Sequence, residues 1–438
     1  MPCVRLWAVV LLSSLVACSS TGAPAGSDAN GGASAGGGSA GGGAPIAGAG
    51  NGGAPSAAGT SAGGAAAGGR PANGVTPGAS GAAGTSGGAG GVNDGAGGMS
   101  GSASPGGATS GGSGGTGSSV PSLRIVGRTA PGAGSAIRLA WPGVNVHGRF
   151  SGTQVSLTLN DNAKNRFSVV IDGGAPKTVT APNGQASLLL ASGLGNGTHE
   201  ISIWRNTEAS GGVTQLTGLS NFSVGGELLA PAVAPDRRLE VIGDSLSVGA
   251  GVEGNAACPG GIDAFTNNYL AYGSVAARAV SADVVTIAWS GIGVYRNYDG
   301  STSNTMPARY PYSIPNDQTA WDFSRYQPQV VVVNLGTNDF GQGDPGVAYE
   351  TAYVEFIKSV RSKYASASFI LIDMYGGTRL TRINNVISKL KTGGEAKIEA
   401  LSVSSAQNNL GCNQHPNVAG QAAMGAVLAQ RLKSLMGW

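Results

Sequence analysis

The stretch Val330-Val331-Val332-Val333-Asn334-Leu335-Gly336-Thr337-Asn338-Asp339 decides how the chain folds. Four valines in a row show neither helical nor alternating periodicity. A β-branched run with no polar face reads as a strand buried on both sides, as in a parallel sheet. Gly336 to Asp339 are turn residues, so the strand stops there and its end carries polar side chains. Working outward, residues 239–242, 284–288 and 369–372 read as further short strands. Between them lie helical patterns at 266–280, 347–364, 383–390 and 416–436. The first carries Tyr269, Leu270, Gly273, Ala276 and Ala277 along one face, and the last opens with Pro416. Strands alternating with helices over 235–438 predict an α/β domain with a parallel sheet covered on both faces. Ligands in such domains sit at the carboxyl ends of the strands.

Residues 122–232 follow a different pattern. In Gln154-Val155-Ser156-Leu157-Thr158-Leu159 the apolar residues recur at every second position, and residues 166–172 end in the turn signal Asp172-Gly173-Gly174. Short alternating strands between Gly/Asn/Pro-rich turns predict a small antiparallel β-sandwich, jelly-roll-like, ahead of the α/β domain.

The remaining N-terminal part has no such grammar. The chain has 438 residues and 77 glycines, 38 of them within the first 120. Residues 19–120 contain no aromatic side chain and only three charges, Asp28, Arg70 and Asp94. Such a segment cannot bury enough apolar surface to offset the entropy of ordering it, so a disordered Gly/Ala/Ser linker is expected. Residues 1–18 have one early positive charge and then an apolar run that is too short to span a bilayer, which reads as a signal peptide. The run ends in Leu15-Val16-Ala17-Cys18, which resembles a bacterial lipobox. Export and lipid anchoring through Cys18 are therefore expected, with membrane contact by the anchor alone. The net charge is +3 and only 11% of residues are charged, which argues against a nucleic-acid footprint.

Of the four cysteines, Cys3 leaves with the signal peptide and Cys18 would carry lipid. Cys258 and Cys412 remain, and in an oxidising compartment they are expected to pair.

Three segments at strand ends carry chemistry. Gly243-Asp244-Ser245 puts a serine on a tight turn after the first α/β strand. Gly336-Thr337-Asn338-Asp339 offers the Asn338 amide. His415 is the only histidine of the α/β domain. His147 and His199, in the antiparallel segment, read as structural. Together the three segments suggest a hydrolase that needs no metal or cofactor. The imidazole would take a proton from the serine hydroxyl, and amide N–H groups would hold the resulting oxyanion. Ser290-Gly291 could supply a further backbone donor.

These blocks occur in the order of an SGNH (GDSL-type) hydrolase, and the chain resembles carbohydrate esterase family 2 more closely still. The supporting segments are Trp141-Pro142-Gly143, Asn268-Tyr269-Leu270-Ala271-Tyr272-Gly273, the run from Ser290 to Tyr298, and Gly411-Cys412-Asn413-Gln414-His415-Pro416-Asn417. The resemblance implies the three-layer SGNH fold after a β-sandwich. It also implies removal of acetyl groups from polysaccharide, as in the acetylxylan esterases. Ser245 would be the nucleophile, His415 the base, and Ser245, Gly291 and Asn338 the oxyanion donors. The chain departs from the pattern where a carboxylate usually precedes the histidine: Cys412 and Asn413 stand there instead. Asn413 is then the candidate for orienting His415, although an amide cannot balance an imidazolium as a carboxylate does. Other members of the family use a serine–histidine dyad oriented by a backbone carbonyl.

Tyr295, Phe340 and Tyr375 follow strand ends or glycine-rich turns and are candidates for stacking on sugar rings. Two other readings stay open: an SGNH esterase for short or lipid acyl chains, and a surface glycan-binding protein with impaired catalysis.

Overall fold

The computed structural model describes residues 123–438 except 163, 316 and 405–408. The expected signal peptide, lipidated Cys18 and Gly-rich linker lie outside the described residues.

Nine antiparallel strands come first. They are β1 (Arg124–Val126), β2 (Thr129–Pro131), β3 (Ile137–Leu139), β4 (Asn145–Asn162), β5 (Arg166–Ile171), β6 (Lys177–Thr180), β7 (Asn183–Arg205), β8 (Thr214–Ser220) and β9 (Leu228–Leu229). Their hydrogen bonds form one network in the order β2-β3-β8-β4-β7-β5-β6, with β1 and β9 also on β4. The long β4 and β7 pair along their whole length, and the register shifts between Gly152 and Gln154 and between Val155 and Ser156. Such bulges bend a strand and increase its twist. The alternation read from the sequence is the alternation of burial: Val155, Leu157 and Leu159 are fully buried together with Phe150, Phe167 and Ile203.

A five-stranded parallel sheet follows, made of β10 (Arg238–Gly243), β11 (Asp283–Ala288), β14 (Val330–Asn334), β15 (Ser368–Asp373) and β16 (Ile398–Ser402), with a small hairpin of β12 (Tyr312–Ile314) and β13 (Thr319–Ala320) outside it. The strand order is β11-β10-β14-β15-β16. The helices are α1 (Ser245–Val248), α2 (Tyr272–Ala279), α3 (Met306–Arg309), α4 (Val347–Lys363), α5 (Gly377–Thr392) and α6 (Val418–Met436). The valine run explains the three layers. Val330 and Val332 pack with Tyr272, Ala276, Met424 and Leu428 of α2 and α6. Val331 and Val333 pack with Tyr353, Ile357 and Ile383 of α4 and α5. Each fully buried valine contributes roughly 1.5–3 kcal/mol. The chain reverses its direction of winding between β10 and β14, which is the switch point where α/β folds bind ligands.

Two readings change. The helix expected over 266–280 is a 3₁₀ turn, Asn268–Leu270, followed by the shorter α2. Side chains compete with the helix there. Asn267 accepts from the Tyr269 N–H, and the Asn268 amide donates to the carbonyls of Ser247 and Val248. The strand β16 was not foreseen. It lies at the sheet edge, and of its five residues only Ile398 is buried.

The antiparallel and parallel parts share one hydrophobic cluster. Between them Arg128 and Glu240 are wholly buried and face each other at 3.5 Å. Glu240 also accepts from the hydroxyls of Tyr310 and Tyr364, at 2.6 and 2.9 Å. The Arg128 guanidinium donates to the Tyr310 carbonyl and lies 4.4 Å from the Tyr310 ring centre.

Candidate active site

The carboxyl ends of β10, β11 and β14 carry three of the loops that build the site, and His415 joins them from the segment just before α6. After β10, the Asp244 side chain caps α1 by accepting from the Leu246 N–H at 3.0 Å. Burial raises this carboxyl to about 6, partly countered by Arg379. Ser245 is the first residue of α1 and is 7% exposed. At that position its N–H has no intrahelical acceptor.

Ser245 and His415 stand 170 positions apart in sequence, and the fold brings them together: Ser245 Oγ is 2.7 Å from His415 Nε2. His415 Nδ1 lies 3.0 Å from the main-chain carbonyl oxygen of Asn413. A carbonyl only accepts, so Nδ1 carries the proton and Nε2 keeps its lone pair for the serine hydroxyl. Burial lowers the imidazole below its usual 6.5, which favours the neutral base. The side-chain amide of Asn413, expected to orient the ring, is not what holds it. That side chain is exposed, and the residue instead adopts the left-handed conformation, φ 49° and ψ 43°, which turns its carbonyl to the ring. Asparagine is among the non-glycine residues most often found there. Cys412 immediately before it is buried and bonded to Cys258, which fastens the histidine loop to the loop after α1.

After β11, Gly291 has φ +78°, and any side chain there would meet the Tyr298 ring 2.8 Å away. Among the described residues nothing accepts from the Gly291 N–H, whereas its carbonyl takes the Tyr298 N–H at 3.0 Å. After β14, the Asn338 amide donates to the Ile292 carbonyl at 2.7 Å. An amide nitrogen has two hydrogens, so one remains. The neighbouring Asp339 carboxylate accepts from three successive N–H groups, of Val294, Tyr295 and Arg296, at 3.1, 2.7 and 2.9 Å. These bonds hold the β11 loop against the β14 loop. Asp339 was read only as a turn residue, and its binding role was not legible from spacing.

The three aromatic candidates separate. Phe340 and Tyr375 line one cavity of about 310 Å³ with Thr337 and Arg379, and Tyr375 is 47% exposed. Tyr295 is half-buried against the core and does not line that cavity. Tyr298, not singled out earlier, is 68% exposed beside Gly291. Both remaining histidines are away from this site. His199 lies 2.6 Å from Asp172, and burial pushes His147 down to about 3.

The arrangement can activate a hydroxyl and hold an oxyanion, and comparison with known proteins narrows it. Residues 125–231 match the carbohydrate esterase 2 N-terminal family and residues 241–423 the GDSL-like lipase/acylhydrolase family. A solved family two carbohydrate esterase from Clostridium thermocellum, in complex with cellohexaose, is 33% identical. Its match covers 72% of this chain and 99% of that one, with a TM-score of 0.68. The chain belongs to carbohydrate esterase family 2. It is thus a carboxylic ester hydrolase by family, with the SGNH fold after an antiparallel domain. It is 34% identical over 310 residues to the cellulase/esterase CelE of Acetivibrio thermocellus, of whose length it spans 38%. It is 29% identical over 314 residues to an acetylxylan esterase/glucomannan deacetylase of Cellvibrio japonicus, covering 68% of this chain and 86% of that protein.

Proposed function

We propose that this family 2 esterase removes O-acetyl groups from polysaccharide, with Ser245 as nucleophile and His415 as base. The reading rests on the 2.7 Å contact between Ser245 Oγ and a His415 whose other nitrogen is tied to a carbonyl. Ser245 Oγ attacks the acetyl carbonyl carbon while its proton passes to Nε2. The N–H groups of Ser245 and Gly291 and the free hydrogen of the Asn338 amide take the oxyanion. Collapse expels the sugar oxygen, which receives the proton from Nε2. Water then repeats the sequence on the acetyl-serine and releases acetate.

The substrate class is supported by the relatives' deacetylase activity on xylan and glucomannan and by the cellohexaose complex. On this reading Phe340 and Tyr375 face the glycan, and Tyr298 borders the acetyl position. The protein acts outside the cytoplasm, anchored through Cys18 at the end of the 19–120 linker. The Cys258–Cys412 disulfide agrees with an oxidising compartment.

Acetate release from acetylated xylan, glucomannan and chitin fragments tests the proposal. Turnover of at least one of these and its loss in Ser245→Ala are expected, with p-nitrophenyl acetate cleaved faster than longer acyl esters. Faster cleavage of long chains would favour a lipid acyl esterase. Among the described residues no carboxylate stands at His415, which gives one further reading its weight: binding to a polysaccharide without hydrolysis would mark a glycan-binding protein.

A further inference from the structure

We infer that Glu208, contributed by the antiparallel domain, is a positioning residue that sets the Gly291 N–H for the oxyanion. The inference rests on the esterase reading above.

Glu208 lies in the loop after β7 and is 3% exposed. Its carboxyl reaches across to the β11 loop and grips Ser290 twice. Oε1 accepts from the Ser290 hydroxyl, and Oε2 accepts from the Ser290 N–H at 3.3 Å. Fixing both the side chain and the amide of Ser290 leaves the next peptide unit, which carries the Gly291 N–H, little freedom to turn. Among the described residues that N–H has no acceptor.

The gripping loop is itself held firmly. The wholly buried Arg205 guanidinium donates to the carbonyls of Thr207 and Gly212, at 2.9 and 2.7 Å, on either side of Glu208. The Asn206 carbonyl accepts from the Asn268 N–H at 3.1 Å, tying the same loop to the segment before α2. Among the described residues no cation pairs directly with Glu208. Burial, with a smaller contribution from Asp263, raises its carboxyl to about 7 against the two Ser290 hydrogen bonds and Arg205, which pull it down. Either protonation state can keep the grip. The neutral acid would donate its O–H to Ser290 Oγ and accept the N–H with its other oxygen. A glutamine has the same donor and acceptor pair, so the arrangement predicts rescue by the amide.

The test uses the full chain and a soluble acetyl ester. Glu208→Ala is expected to lower kcat by about 10- to 100-fold with KM within about threefold, below the ~10²–10³ of a lost oxyanion donor. Ser290→Ala should lower kcat similarly, and the double variant should be no worse than the poorer single one. Glu208→Gln should stay within about fivefold of the parent. Thermal melts of all variants report folding, and the Gln and Ser290 variants serve if Glu208→Ala fails to fold. Additive losses, KM effects without kcat effects, or Gln as poor as Ala would overturn the inference. If Ser245→Ala kept its activity, the esterase reading itself would fail. If it lost activity while the Glu208 and Ser290 variants turned over normally, only this inference would fail.

Discussion

Replacing Asn413 separates two ways of holding a catalytic imidazole. If a side chain oriented His415 as a triad carboxylate does, removing it would cost about 10⁴ in kcat. Here the acceptor is the main-chain carbonyl, 3.0 Å from Nδ1, and the side chain points to solvent. Asn413→Ala therefore keeps the acceptor and changes only the ease of adopting φ 49°. A left-handed residue with a Cβ costs roughly 1–2 kcal/mol, and asparagine recovers part of that. A residual penalty of about 1 kcal/mol, felt wholly in the geometry of the loop, is about fivefold in rate. Asn413→Ala and Asn413→Asp should thus both turn over an acetyl ester within about fivefold of the parent. Asn413→Val, β-branched in a left-handed position, should be the slowest of the three. Steady-state kinetics on p-nitrophenyl acetate read this directly. A loss of several hundredfold in Asn413→Ala, or a comparable gain in Asn413→Asp, would refute the carbonyl-held dyad.

Two further outcomes follow from the same geometry. On the proposed reading Asn338→Ala should lower kcat by ~10²–10³, because it would remove an oxyanion donor and frees the Ile292 carbonyl; a loss under about threefold would leave Asn338 as a loop tie alone. The active imidazole is the neutral one and burial lowers its value, so kcat/KM should decline with falling pH through an inflection below 6.5. An inflection at 7 or above in the pH profile would contradict that environment.

The central strand was legible because Val330 to Val333 face helices on both sides, a pattern no amphipathic element shares. Ser245 and Asn338 were singled out because they follow strand ends, where ligands of such sheets sit, and His415 because it is the only histidine of the α/β domain; the structure brings Ser245 and His415 into contact. Other parts were hidden for identifiable reasons. The strand Ile398–Ser402 has only one buried residue, and the pattern at 266–280 looked helical because the main-chain bonds made by Asn268 leave no mark on periodicity. Asn413 drew notice for its side chain when its backbone conformation was what mattered. Glu208 sits in a loop of the other domain with no motif around it, and only the folded contact with Ser290 singles it out.

The Arg128–Glu240 pair bears on how such a chain can be cut. By sequence it divides near Pro235, yet Glu240 belongs to the first strand of the hydrolase half and its cation belongs to the other half. Separating the halves would take from Glu240 its buried cation and leave it only the Tyr310 and Tyr364 hydroxyls, and losing one partner of a buried pair costs about 3–5 kcal/mol. Shuffling either half against an unrelated module therefore breaks the assembly at its middle, and the two are best exchanged, expressed and inherited together.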